Sequence, residues 1–470
     1  MTPKNTCLSK LLLIKLLPVL FIVACGGGDA SPPSQPSPPA IATGQLNTGF
    51  GNSNGFTSIT GSLPKGNRAN AVLVDKQDRI LVAGQHSDQG TDFAAIWRFT
   101  ADGTLDTNFA GGTGYAANKL DDSSYATSMA IDNNGQIVVA GYSNAFSLGL
   151  DMVIWRYTVD GELDPGFGSG KGYVSFDNAV GVAEGIPVND AGLSVVIDTE
   201  GRLLVAGYSQ PSTQFTELAV WRLMPDGSLD KTFGNNGVFI YSVFNQGNIA
   251  MKLALTADNK VIVGGINRDR LSYYGLIILK LDSAGQLDTT FNDNGILIHH
   301  NVNIMVLNDP GNFDLKIDSQ ERILIAANTK KYSLTEYHFT LWRYTSTGIP
   351  DISFGDSTGM LQIENPPVMS TGQVIAIEID GQNNILVTVE QYSTQFYNAN
   401  LSIWRFIENG VLDSRFGING VVSHNTNPQS SIINQDRGAA MCLTTDGKIL
   451  IAGYSSVFSQ PTSLTLWQFK

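Results

Sequence analysis

The sequence predicts an all-β fold, a seven-bladed β-propeller of four-stranded antiparallel blades closed by the N-terminal strand. Three observations predict it. First, all six tryptophans of the 470-residue chain, Trp97, Trp155, Trp221, Trp342, Trp404 and Trp467, follow a short apolar run, as in AAIWRF and LTLWQF, and Leu279 takes that place in LIILKL. These positions lie 58, 66, 58, 63, 62 and 63 residues apart, so seven copies of one unit fill the chain. Second, each copy reads as four short strands separated by turns. Third, the seventh copy ends after its tryptophan at Lys470, and the piece it lacks stands at the opposite end of the chain.

In chain order, residues 1–24 read as a signal peptide. Lys4 and Lys10 precede an apolar stretch at 11–24 that Lys15 and Pro18 interrupt, too short and broken for a comfortable membrane span. The stretch ends in Ile-Val-Ala-Cys at 22–25, which looks like a bacterial lipoprotein signal. That resemblance implies cleavage before Cys25 and acylation of its thiol and new amino group. Two or more acyl chains hold a protein stably, since each buried CH₂ contributes roughly 0.8 kcal/mol. Residues 25–45, with the run GGGDASPPSQPSPPA, read as a lipid-anchored Gly/Ser/Pro linker. Gly26 and Gly27 follow the cysteine where an inner-membrane retention signal would place Asp, so the resemblance favours the outer membrane, facing either the periplasm or the cell surface. Of the three cysteines, Cys7 leaves with the signal and Cys25 is the lipid site, so Cys442 has no disulfide partner and is expected to pack as a small core hydrophobe. Removing the three lysines and no acids of residues 1–24 takes the formal charge from −13 to −16. A chain this acidic is a poor partner for nucleic acid or anionic lipid.

Residues 46–470 are the propeller. In the copy at 128–176, SMAID, QIVVAG, MVIWRY and GYVSF are four to seven residues long, rich in Val, Ile and aromatics, and separated by Asp/Asn/Gly turns. Four antiparallel strands per repeat of about sixty residues are the pattern of a propeller blade. The DG-LDxxFG element missing from the last copy is replaced by Leu46-Asn47-Thr48-Gly49-Phe50-Gly51. The N-terminal segment is therefore expected to complete the last blade and remove an open edge. A charge pattern agrees. Arg98, Arg156, Arg222, Lys280, Arg343 and Arg405 follow the tryptophan position, and Asp106, Asp164, Asp230, Asp288, Asp351 and Asp413 occupy the fourth-strand element, which predicts one ion pair per blade. In the last blade the partners would be Gln468 and Asn47, from opposite chain ends and both neutral.

The unit DGxIlvaG…WRyxxdGxLDxxFGxxG resembles the delta-60 repeat, assigned to a bacterial β-propeller family of unknown function. The resemblance covers nearly all of residues 46–470. It implies a fold and brings no activity or catalytic residue. The fourth copy departs at Leu279, and the fifth and sixth lose the small-Gly pair after the second strand, at Ala326-Ala327 and Thr388-Val389.

No catalytic signature is legible: the GxSxG strings at 51–55 and 355–359 fall in the turn after the repeat's Phe-Gly and not at a strand-to-helix elbow, and there is no phosphate loop, dinucleotide fingerprint or sialidase-type box. The five histidines have no ligand spacing, and the DNNG, DTEG and TTDG turns lack the alternating oxygens of a calcium loop, so no metal or cofactor is expected. Binding belongs on the variable loops after the second strands. These carry Tyr142 with Phe146, Tyr208 with Phe215, Tyr392 with Phe396 and Tyr454 with Phe458, joined by Tyr273, Tyr274 and Tyr332. They could grip a sugar or peptide, or simply pack the loops onto the blades. The expectation is a monomeric, membrane-tethered, exported binding propeller for a protein or glycan ligand. An envelope-assembly scaffold, and a hydrolase or lyase with its site at the channel mouth, are the alternatives.

Overall fold

The computed structural model describes residues 43–470 apart from 62–65, 119–122, 145–148, 183–184, 212–214, 244–245, 269–273, 301–303, 305–311, 331–336, 364–370, 393–398, 427–433 and 458–459. The signal segment, Cys25 and all but the end of the linker lie outside the described residues. Among the described residues the elements are strands and two three-residue 3-10 turns, at Ala110–Gly112 and Gly168–Gly170. The short apolar runs that end at Gly and Asp turns thus fold as the spacing predicts.

Five sheets each hold four antiparallel strands in chain order. The first comprises Arg68–Val74, Ile80–Asp88, Thr91–Phe99 and Tyr115–Asn118, and others begin at Ser124, Val188, Gly247 and Phe313. A sixth sheet holds eight strands. It contains the set from Thr371–Ile379 to Val421–His424 and a set of Asn434–Leu443, Ile449–Val457 and Ser463–Phe469 with Phe56–Thr60 on its edge. The sequence predicts two separate sheets here. A single parallel bridge between Ala399 and Gln435, at the starts of two neighbouring strands, merges them. Each sheet is open, with free first and last strands.

One rung fixes the register. Val82, Trp97 and Tyr115 lie abreast, as do Val139, Trp155 and Tyr173, and Val263, Leu279 and Ile296. The last such rung is Ile451, Trp467 and Phe56. Every tryptophan is at most 4% exposed, and Leu279 is fully buried, so the apolar side chain that replaces the indole keeps the rung dry. Cys442 is buried at 8% exposure, and burial pushes its thiol up to about 12. The glycine of the second strand is a close-approach residue: a Cβ at Gly141 would stand 1.8 Å from the Tyr125 carbonyl oxygen, beside a bulge between Ala126 and Ser128. Where Val389 replaces it, the bulge at Val374–Ala376 remains; where Ala327 does, Phe313–Ile317 pairs without a bulge, and both residues are fully buried.

The predicted ion pairs form in five sets. Nε of Arg98, Arg156, Arg222 and Arg343 lies 2.7, 2.7, 2.8 and 2.8 Å from Oδ2 of Asp106, Asp164, Asp230 and Asp351, and Nη2 of Arg405 lies 2.8 Å from Asp413. The fourth set corrects the expectation. Lys280 reaches on to the Ser346 carbonyl at 3.1 Å, and Asp288 instead takes Lys260 at 2.9 Å. A lysine carries its donors on one nitrogen where arginine spreads them over a fork, and here that nitrogen lies at Ser346. Against burial, bonds from Thr290 and Lys260 hold the Asp288 carboxyl down at about 2. Asn47 Nδ2 donates to Gln468 Oε1 at 2.5 Å, the neutral counterpart of the pair.

The same arginines tie each set to the next. Arg98 donates to the Val159 carbonyl at 2.6 Å, and Arg156, Arg222 and Arg343 donate to those of Pro225, Ser283 and Glu408. Each guanidinium lies over the phenylalanine of its own LDxxF element, 4.5 Å for Arg98 on Phe109. That ring in turn fills the space over a positive-φ glycine of the following set: Phe109 meets Gly161, Phe167 meets Gly227 and Phe354 meets Gly410. Chain ends join in the same way, with Phe416 against Gly44 and Phe50 against Gly103, and with Gly417 N–H on Thr43 O at 3.1 Å and Gly51 N–H on Asp102 O at 2.8 Å. First strands of successive sets touch in order, and Asn434–Leu443 touches Arg68–Val74.

Candidate functional site

Antiparallel strands put the short turns at one end of each sheet and the long variable connections at the other. At the long-loop end, the second-strand residue just past the close-approach position pairs with a first-strand residue: Gln85 with Arg68, Tyr142 with Tyr125, Tyr208 with Ala191, Glu390 with Gln373, Tyr454 with Arg437. Because the sets repeat, these residues stand at one level, and those of the last two and first two sets are polar or aromatic. Arg68 is exposed, and its guanidinium carbon lies 4.9 Å from the centre of the Tyr454 ring. Among the described residues it makes no ion pair. Tyr125 stacks on Tyr142 at 5.0 Å, and Asp92 accepts a 3.4 Å bond from the Tyr125 hydroxyl. Arg437 Nε lies 3.3 Å from Glu390 Oε2, and Glu390 is 2% exposed. An exposed guanidinium over a ring is a place for a carboxylate and an apolar face to bind together.

One residue nearer the loops lies a row of buried polar pairs. Asn267 Nδ2 donates to Asn248 Oδ1 at 2.7 Å, and Asp436 accepts Ser455 Oγ at 2.6 Å and Thr426 N–H at 2.5 Å. Asp190 and Ser209 occupy the same register, both fully buried. Asp190 Oδ1 has no hydrogen-bond partner among the described residues, and Oδ2 has a long one at 3.4 Å from Ala179 N–H. Burial pushes the Asp190 carboxyl up to about 6. Burial, helped by the Asp190 charge, also raises the Tyr208 hydroxyl.

The aromatic residues chosen from the sequence are only partly described. Tyr142, Tyr208, Tyr274 and Tyr454 end up half-buried in strands, the first three packed against the apolar core, while Phe215 is 44% exposed. Tyr392 ends the strand Ile385–Tyr392. Phe146, Tyr273, Tyr332, Phe396 and Phe458 lie outside the described residues. Among the described residues, Tyr142 comes together with Tyr125 and Tyr454 with Arg68. Arg68, Tyr125, Glu390 and Arg437 escaped the sequence reading. Aligning the copies on the close-approach glycine, rather than on the tryptophan, places Arg68, Tyr125 and Arg437 in one column. Among the described residues no three His, Cys, Asp or Glu side chains converge as a metal site. A cavity of about 640 Å³ lies elsewhere, at the turn end, beside Lys171, Tyr173 and Asp226.

Four stretches, residues 78–109, 133–167, 201–233 and 256–291, match a family model described as a β-propeller domain of unknown function (DUF5122). They support a β-propeller repeat family for this chain. No curated protein matches it in sequence. Among solved structures it is similar to the polysaccharide lyase Uly1, with 10% identity, TM-score 0.47, and 87% of this chain and 90% of that one covered. It is also similar to YCF48 bound to D1 peptide, with 11% identity, TM-score 0.42 and coverage of 92% and 99%. A Trypanosoma rangeli sialidase in complex with the inhibitor DANA matches at 9% identity and TM-score 0.39, over 77% of this chain and 56% of that one.

Proposed function

We propose that the chain is a binding propeller, tethered through acylated Cys25 to the outer membrane, that holds a carboxylate-bearing glycan at the long-loop end. Seven four-stranded sets close into a ring in this reading. Its supports are the rung of Ile451, Trp467 and Phe56, the contact of the last first-strand with the first, and the two latches at Gly44 and Gly103. The observation that carries the ligand class is Arg68, exposed and without an ion pair among the described residues, lying on the Tyr454 ring. A guanidinium binds a carboxylate through two parallel hydrogen bonds, and a tyrosine face suits the apolar side of a sugar ring.

The test is equilibrium binding of polygalacturonate and of its methyl ester to the purified protein. The acid form is expected to bind, the ester weakly or not at all, and Arg68→Ala to weaken acid binding more than tenfold. Equal binding of both polymers, or no effect of Arg68→Ala, sinks the reading. A fall in polymer length during the assay supports the lyase or hydrolase alternative instead, and binding by an envelope protein but by no glycan supports the scaffold. The tether has its own test: labelled fatty acid should enter the wild-type protein and not Cys25→Ser.

A further inference from the structure

Nine large apolar side chains are exposed among the described residues, and the four most exposed lie at the turn end of two adjacent sets. They are Ile349 at 61%, Ile352 at 73%, Val411 at 57% and Ile418 at 81%. Ile349 and Val411 occupy one column of the repeat, where the earlier copies carry Thr104, Glu162, Ser228 and Gln286. At the column of Ile352 the other copies have Thr107, Pro165, Lys231, Thr289 and Ser414, and at that of Ile418 they have Gly111, Ser169, Asn235, Asp293 and Asp356. Elsewhere at the turn end the exposed apolar side chains are Val159, Leu163 and Met224, at 36–39%, so these four, at 57–81%, are the most exposed apolar group there. The two turns are joined: Gly355 N–H donates to Asn409 O at 3.0 Å, and Phe354 packs over Gly410.

The chain enters the fold at this spot. Thr43 O accepts the Gly417 N–H at 3.1 Å, and Gly44 sits on Phe416 and Val422, so the linker leaves the body beside Ile418. Seventeen residues separate Cys25 from Thr43. A linker of that length, flexible over its Gly run and extended over its Pro run, spans about 25–50 Å, enough to let this end of the body reach the surface that holds the lipid. Arg415, its side chain 66% exposed, flanks the patch with its guanidinium paired to Asp413 at 2.8 Å.

We infer that the turn end of these two sets, Ile349, Ile352, Val411 and Ile418, rests on the lipid bilayer, with the long-loop end turned away from it. The inference depends on the tether at Cys25. Insertion of apolar side chains to the depth of the headgroups is a weak contact by itself. With the acyl chains supplying attachment, the patch needs only to set orientation.

The test uses the acylated full chain on phosphatidylethanolamine/phosphatidylglycerol vesicles containing brominated lipid, with a fluorophore at S414C or at F215C. Quenching at residue 414 at least about fivefold that at 215 is expected. It should vanish when Ile349, Ile352, Val411 and Ile418 are all changed to Ser, with attachment and melting temperature unchanged. Attachment with equal quenching at the two sites overturns the inference alone. Failure to attach, with no acyl mass on the Cys25 peptide, overturns the tether and the inference together. Loss of quenching through self-association on vesicles, seen by sedimentation, assigns the patch to a second copy and also overturns it.

Discussion

Asp190 differs in one respect from Asp436, its counterpart in the last set: both are fully buried beside a serine, but only Asp436 has short bonds to both oxygens. A buried carboxylate lacking partners favours its protonated form. Folded Asp190 holds its proton up to about pH 6, whereas the unfolded chain releases it near the ordinary carboxyl value of 3.8. The folded state therefore binds more protons between those values, and stability falls as pH rises from about 4 to 6 and is flat beyond. Asp190→Asn carries no charge to lose and offers Nδ2 to Ser209. Denaturant melts should find the variant more stable than wild type by about 3 kcal/mol at pH 8 and equal to it at pH 4. A gain of the same size at both pH values would place the benefit in packing rather than in the proton. None of this was legible in the sequence, because an Asp in VNDAGL reads as a strand-entry residue until its cross-strand partner is known. The tryptophans were legible for the opposite reason: six large apolar residues at one spacing constrain register without any knowledge of their neighbours.

At the scale of an element, the arginine latch shows what the last set does without. Gln468 is too short to reach the next turn, and a cavity of about 180 Å³ opens there, lined by Gln468, Ala101, Asp78 and Lys448. Ala101 holds the place that Val159, Pro225, Ser283 and Glu408 hold in other sets, where an arginine caps the carbonyl. Asn47→Asp alone is expected to destabilise by about 1–3 kcal/mol, since it buries a carboxylate opposite a neutral amide. Gln468→Arg in the same chain should recover that loss by rebuilding the pair and filling the cavity. Thermal melts of the two single variants and the double variant measure the coupling. Additive effects would mean that the two residues do not share one site. The loss of both charges was readable from the repeat alignment, and so was their partnership. The fourth set was misread, because the reading treated Lys280 as an arginine and ignored Lys260, whose column also holds Arg202 and Arg322, paired within their own turns to Asp198 and Asp318.

For the whole molecule, the question is whether the sets form a ring or an open stack. In an open stack the terminal sets expose an apolar face, and neighbours unfold in steps along the array. In a ring every set has two neighbours and the chain ends meet. Here Lys470 N–H donates to Gln45 O at 2.7 Å, and Lys470 O takes Gly44 N–H at 2.5 Å and the Thr43 hydroxyl at 3.0 Å. Ends this close can be joined by a short linker and the chain reopened elsewhere. A permuted chain that begins at Asn134 and ends at Asn133, within an exposed turn, separates the strand Ser124–Ile131 from its three partners in sequence but not in space. It should fold, melt in one transition and lie within a few degrees of the parent. Deleting residues 43–60 without permutation should do the reverse. It strips Phe56–Thr60 from Ser463–Phe469 and removes both end latches, so the melt should fall and broaden into more than one step. It should also expose the edge of Ser463–Phe469 to pairing between molecules, seen as dimers by sedimentation. A permuted chain that fails to fold, together with a deletion that melts like the parent, would leave the ends as neighbours of no structural consequence. The ring, and with it the common level at which Arg68 meets Tyr454 across the first and last sets, would then have to be abandoned.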